Sequence, residues 1–224
     1  MDIGKSLTYI TQDQDWIKKI LLGGVITLIP VVGPLFAFGY MLETMKNVIA
    51  GREVPLPEVT GDFGSRLVEG LKVWVIAFIY ALPLILFTVF AQAGNMTPLM
   101  AEKVEQSILD ILTTVSIGVS VCCGCLSLLY AILMGLILPF VWGKYAETGQ
   151  FGDAFRLGEL FGMLKDNLGH AFVVLLVNVL AGLVAGVAGT IVCVIGLIFT
   201  LFYAQLVMAF LYGSLYRQAK AVVL

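Results

Sequence analysis

Few residues in this chain have side chains that could do chemistry. Cys122-Cys123-Gly124-Cys125 contains a Cys-x-x-Cys, the spacing used by metal sites and dithiol redox centres. A metal would need further ligands, yet no second cysteine pair and no histidine stands nearby. The cluster lies mid-way along an apolar run, where small, weakly polar cysteine packs well between helices, so packing is the preferred reading. His170, the only histidine, falls near the polar end of another apolar run and reads as an interfacial anchor or helix cap rather than a proton relay.

Asn178 and Gln205 are a more informative pair, one in each half of a long apolar segment. If the segment folds back near residues 191–196, the two amides reach comparable depth. An amide in hydrocarbon needs a partner, and an interhelical hydrogen bond there contributes about 0.6 kcal/mol. Asn178, Gly182, Gly186 and Thr190 also follow one another at i+4, a small-residue stripe with Gly-x-x-x-Gly at its centre. Together with Gln205 these are the candidate helix-packing or partner-contact residues. Their neighbour is the second arm, another helix of the chain or another protein; a solute pathway lined by Asn178 and Gln205 is the competing reading.

Nothing else in the sequence points to a reaction. No Ser-His-Asp set, phosphate-binding glycine loop, paired carboxylates or histidine-rich metal site appears, so no catalytic, cofactor-binding or metal-ligating residue is assigned and no cofactor is expected. Glu43, Glu58, Asp62, Glu69, Glu147, Asp153 and Glu159 fall in polar connectors and read as a solvated surface. Intramembrane enzymes and ion-coupled pumps place ionisable groups within their spans, and their absence here argues against both.

The elements that carry these residues belong to a membrane. Of the 224 residues, 60% are hydrophobic and 12% charged, against about 25% charged in a soluble domain. A net charge of −2 leaves no footprint for nucleic acid. The polar first fifteen residues do not resemble a cleavable signal, and cysteines confined to apolar runs do not form a secreted disulfide framework.

Residues 168–216 contain no Asp, Glu, Lys or Arg and are long enough for two spans, with a turn expected at Cys193-Val194-Ile195-Gly196. Further spans are expected at residues 73–93, kinked at Pro83, and at 117–142, with residues 108–116 at the surface because Asp110 is costly in hydrocarbon. Residues 94–107 read as a polar turn. The run 16–45 is broken by Ile29-Pro30-Val31-Val32-Gly33-Pro34, which leaves either one kinked span or a re-entrant hairpin. A polar connector follows at 43–60, where Pro55 and Pro57 exclude a regular helix.

Amphipathic surface helices are expected at residues 1–15 (apolar stripe Ile3, Leu7, Ile10), at 63–72, and before residue 168 (Leu157, Phe161, Leu164, Leu168 on one side). These share a pattern, Ile3-Gly4-x-x-Leu7, Phe63-Gly64-x-x-Leu67 and Leu157-Gly158-x-x-Phe161. The later turns match too: Val31-Val32-Gly33-x-Leu35-Phe36 resembles Val194-Ile195-Gly196-x-Ile198-Phe199, with Tyr40 where Tyr203 falls. A repeated unit of surface helix plus hairpin is the economical reading. Charge separates the two topologies. A full first span divides the 13 Lys and Arg 4 to 9, whereas a hairpin divides them 12 to 1, with only Lys103 on the far side.

The expectation is therefore an all-α polytopic membrane protein in one domain, 1–224. It has four full spans, a re-entrant or shallow N-terminal hairpin, and both termini in the cytoplasm of a cell-membrane protein. Its parts are 1–50 (surface helix and broken hairpin), 61–142 (surface helix and two spans) and 151–217 (surface helix and hairpin).

Several motifs carry a resemblance. Leu28-Ile29-Pro30-Val31-Val32-Gly33 followed by Gly39-Tyr40, the connector Val54-Pro55-Leu56-Pro57, Tyr145-Ala146-Glu147-Thr148-Gly149, and the closing Leu211-Tyr212-Gly213-Ser214-Leu215-Tyr216-Arg217 resemble the DUF4013 family of prokaryotic multi-pass membrane proteins. The resemblance covers nearly the whole chain. It departs after Pro-Leu-Pro, where the family tends to have acidic residues and Trp and this chain has Glu58-Val59-Thr60-Gly61-Asp62-Phe63. It implies a location and an architecture, without an activity whose residues could be carried over. Two functions are weighed: a non-enzymatic structural or accessory subunit, favoured, and a small-solute permease or channel. The partners expected are the lipid bilayer and other membrane subunits or a second copy of the chain, with no nucleic acid.

Overall fold

In hydrocarbon every backbone N–H and C=O must find its partner within the chain, so apolar runs of this length have one local solution, the helix. The computed structural model describes residues 3–93, 105–191 and 193–223, and among them there is no strand. The elements are α1 (Ile3–Thr8), a 3-10 turn (Ile10–Gln12), α2 (Trp16–Thr27), α3 (Val32–Ile49), α4 (Phe63–Ala93), α5 (Gln106–Thr148), a second 3-10 turn (Phe151–Phe155), α6 (Leu157–Asp166), α7 (Leu168–Ile191) and α8 (Cys193–Val223). Four of them, in α4, α5, α7 and α8, are long and apolar enough to cross a membrane. The chain is a multi-pass membrane protein.

Two compact units are formed, Met1–Ile76 with Leu136–Leu224, and Ala77–Gly135. In the first, α8 is the central helix. Tyr40 stacks towards Phe202 at 5.6 Å and Gln205 faces Met41, while further along Gly213 meets Met45 and Val48, so α3 and α8 run parallel. On α2 the order is reversed, Gly24 against Phe199 and Gly23 against Phe202, with Tyr9, ahead of α2, donating to the Leu206 carbonyl (2.8 Å). The run 16–45 is thus an antiparallel pair, and the kinked single span is excluded. At about 1.5 Å per residue, the 12 residues of α2 reach only ~18 Å, too short for a ~30 Å hydrocarbon core.

The tip of this first hairpin solves the backbone problem with a γ-turn. Val31 has φ 67° and ψ −53°, and the Val32 N–H donates to the Pro30 carbonyl at 2.8 Å. The Gly33 N–H donates to Ile29 O at 2.8 Å, and a Cβ at 33 would collide with the Thr27 backbone. Two prolines remove donors that an apolar turn could not satisfy.

In the second unit, the α4 and α5 segments pair antiparallel: the Tyr130 hydroxyl donates to Tyr80 O (2.7 Å) and the Ser120 hydroxyl to Ala91 O (2.8 Å), and Phe87 meets Tyr130 edge-on.

Several boundaries differ from the sequence expectation. Residues 63–72 are the start of α4 and residues 108–116 are part of α5, each continuous with its span. No Gly or Pro interrupts 106–117, and Thr113, Thr114 and Ser116 turn their hydroxyls back onto carbonyls of the preceding turn, so polar composition there does not end the helix. Asp110 is exposed and accepts from the Gln106 amide at 3.1 Å. Residues 193–196, expected as a turn, are already helical in α8, since a glycine such as Gly196 stays helical where water cannot replace its bonds. The polar connector begins later than residue 43, because α3 continues to Ile49. Most of the polar turn expected at 94–107, including Lys103, falls outside the described residues.

The surface helices are present at α1 and α6 with their inward faces rotated. Ser6, Tyr9, Ile10 and Asp13 are buried while Leu7 is exposed; Leu160 and Leu164 are buried while Leu157, Phe161 and Leu168 are exposed. In the N-terminal segment, tyrosine, serine and aspartate with partners share the inner side with Ile10; on α6 the inner side is Leu160 with Leu164.

Candidate functional site

The residues singled out in sequence lie on α7 and α8 but do not form one face. A row at i+4 advances 400° per step and so drifts about 40° around a 3.6-residue helix. Asn178 therefore points to the seam with α8, where Ala171, Val174, Ala185 and Gly189 are buried. Its two amide atoms are shielded from solvent without a hydrogen-bond partner, although the Tyr212 phenol interacts with it. Gly182 and Gly186 have turned away, and a Cβ added at either would meet no atom within 4 Å. Thr190 is exposed and bonds its own helix, at Val187 O (2.8 Å). Gln205 does not reach Asn178; its amide approaches the Met41 sulfur at 3.9 Å. One polar contact joining the arms is missed by sequence reasoning, the Thr200 hydroxyl on the Ala185 carbonyl at 2.8 Å, where Gly189 leaves room for Leu197 and Thr200.

Beside this seam is an apolar groove of about 350 Å³ whose lining includes Ala181, Ala185, Ala188 and Ala204, with Leu7 and Ile20 on its far side.

Cys122 and Cys125 are exposed free thiols on α5, and no cluster of His, Cys, Asp or Glu suited to a metal occurs among the described residues. His170 is exposed and contacts the Gln218 amide at 3.3 Å, joining the ends of α7 and α8.

The larger surprise is among the carboxylates. The connector after α3 is a buried strap, not a solvated loop. Its prolines forbid a helix, so its carbonyls need donors from elsewhere. Asn47 donates to Pro55 O (2.8 Å), Lys19 to Leu56 O (3.3 Å), Tyr40 to Pro57 O (2.8 Å), and Arg66 to both Glu58 O and Val59 O (2.8 Å each). Lys19 also binds Asp13 (2.8 Å) and Glu58 (3.1 Å). Arg66, only 4% exposed, holds Glu43 through Nε and an Nη at 3.0 and 2.8 Å and packs over the rings of Phe36 and Tyr40. Burial pulls the Lys19 ammonium towards neutrality, but the bonds and charges of Asp13 and Glu58 outweigh it and leave its pKa raised.

Further ion pairs tie the same ends of the helices together. Glu69 takes Lys46, Lys72 and the Tyr145 hydroxyl; Glu147 takes Lys220 and the Tyr216 hydroxyl (2.6 Å); Lys144 reaches Glu159 at 3.0 Å. Of the acidic residues read as solvated, Asp153 is itself buried, next to Arg156 at 2.9 Å. Residue types and spacing held one clue: Lys19 and Arg66 interrupt otherwise amphipathic patterns on the side that packs.

With the hairpins and strap described, the comparison with known families can be placed on the chain. The sequence model for "Protein of unknown function (DUF4013)" matches residues 22–194. The chain belongs to the DUF4013 family. The DUF4013 match includes the second half of α2, all of α3, the strap, Arg66 with Glu43, and all of α7; it begins after the Lys19 and Asp13 pair and ends at the start of α8. No curated protein and no solved structure matches the chain.

Proposed function

We propose that this DUF4013 protein is a non-enzymatic accessory or structural subunit of a membrane protein assembly. The observation that supports this is the open face of α7 at Gly182 and Gly186, where an added Cβ would meet no neighbouring atom within 4 Å. Glycine costs a helix about 1 kcal/mol relative to alanine, and bulkier side chains serve equally well against lipid. Glycine is favoured where another helix backbone approaches closely. The occupant is a transmembrane helix of a partner subunit or of a second copy. The protein is placed in the cell membrane with both termini cytoplasmic, following the Lys and Arg bias of its connectors.

The test is site-specific photo-crosslinking from position 182 or 186 in native membranes, with position 90, on the exposed Phe90, as the control. A discrete protein adduct from 182 and 186 and none from 90 is expected. Lipid adducts alone at all three positions would remove the accessory role.

A second reading, a small-solute permease or channel, is favoured by one feature: the polar amide of Asn178 in the middle of a span. It requires a water path to that amide. A cysteine at 178 that reacts with an aqueous thiol reagent in proteoliposomes would support it, and one that stays inert would count against it.

A further inference from the structure

Where the ends of α3 and α8 meet near α1, the helices leave a cleft of about 460 Å³, within the roughly 300–1,000 Å³ of small-ligand sites. Its lining combines three cations, Lys5, Arg52 and Arg217, with one carboxylate, Glu53, above an apolar floor of Val48 and Phe210. The cations of the strap and its neighbours each hold a carboxylate. Arg52 and Arg217 are exposed and hold none among the described residues.

The cleft is built rather than left over. Gly51 has φ +75°, which L side chains rarely adopt, and the Arg217 guanidinium packs onto the space a Cβ would fill, 3.0 to 3.2 Å away. The carbonyls at the end of α3, which would repel an anion, are already taken: the Gly51 N–H donates to Val48 O and the Arg52 N–H to Asn47 O, both at 3.0 Å. The depth is also defined. Arg217 is the first charge after the apolar stretch of α8, at the level where a span emerges among lipid phosphates.

We propose that this cleft binds the phosphate of an anionic phospholipid, with Arg52 and Arg217 on the phosphate oxygens and Val48 and Phe210 against the glycerol and first acyl carbons. Two cations in excess of one carboxylate favour an anionic headgroup over a zwitterionic one, whose own ammonium would face Arg52 and Arg217. The proposal is independent of the accessory role, because the cleft has no lining residue on α7, where the open glycine face lies.

The test is native mass spectrometry of the full-length protein in detergent, titrated separately with phosphatidylglycerol, phosphatidylcholine and inorganic phosphate. Phosphatidylglycerol is expected to bind tightest. Arg52→Gln and Arg217→Gln are each expected to weaken it about fivefold, Glu53→Gln to tighten it, and Lys165→Gln, an exposed cation elsewhere, to change nothing. Equal retention of phosphatidylcholine would overturn the proposal, as would arginine variants indistinguishable from wild type or a Lys165→Gln loss of the same size. Charge-dependent binding of inorganic phosphate without phosphatidylglycerol binding would overturn the lipid assignment. Thermal unfolding of each variant in detergent keeps a folding defect separate from a binding one.

Discussion

The hairpin of α2 and α3 and that of α7 and α8 have the same order, a short helix followed by two antiparallel arms, yet they bury different amounts of themselves. Eleven of the 18 residues of α3 are buried, against four of the 24 of α7. The first hairpin is too short to cross a bilayer and is held by α8, α4 and a proline strap whose carbonyls from Pro55 to Val59 are met by side chains. The last is long, apolar and open along one side of α7. Gly39 on α3 is therefore a packing requirement, whereas Gly182 and Gly186 on α7 are unfilled positions. Sequence repeats can preserve a unit while its neighbours change its role.

The largest effect that would break this contrast is at Arg66. Arg66→Ala leaves the buried Val59 carbonyl without its donor and removes the bonds to Glu43 and to Glu58 O, and a loss of about 3 kcal/mol is expected, read as a collapse of the unfolding midpoint in detergent. Glu159→Gln, at the exposed pair with Arg156 beside the last hairpin, should barely move that midpoint. Comparable losses would mean that the strap does not hold the first hairpin.

Glycine substitutions compare the hairpins directly. A Cβ at Gly39 would collide with the Arg66 backbone, and one at Gly70 with that of Leu35, so Gly39→Leu should destabilise by about 1 to 3 kcal/mol or more. Gly182→Leu on α7, with empty space around it, should stay within about 0.5 kcal/mol in the isolated protein. If the accessory reading holds, the same Gly182→Leu change should abolish the crosslink from position 186 while leaving the unfolding midpoint in place.

A smaller gain is expected at the first tip. Val31 is β-branched at positive φ, and Val31→Gly should stabilise by about 1 kcal/mol, seen as a raised unfolding midpoint. The smallest change is Thr200→Val, which removes the bond to Ala185 O and should cost about 0.6 kcal/mol, measurable as increased proteolysis at the α7 and α8 turn.

Much of the fold was legible in residue order. Hydropathy placed the four spans, and the charge distribution chose the hairpin over a single kinked span before any contact was known. What sequence misplaced were boundaries and faces. Ser and Thr near the start of α5 looked like a surface segment, and the stripe Ile3, Leu7, Ile10 looked like the packed side of α1. In both cases a polar residue had a partner that local pattern does not reveal: a carbonyl one turn back, or Leu206 O across the chain for Tyr9.

The candidate contact residues were found as a list and regrouped in space. Asn178 went to the α8 seam, Gly182 and Gly186 to the open side, and Gln205 to Met41, because an i+4 row winds around its helix. Composition and hydropathy are sums over local residues, so the sequence by itself determined the membrane class, the number of spans and the turn at Pro30 to Pro34. Ion pairing and groove formation depend on residues far apart in the chain meeting at one depth. Only the tertiary structure, therefore, decided that Lys19 and Arg66 are buried and paired with carboxylates, that a proline connector is a strap, and that Arg52 and Arg217 share one cleft.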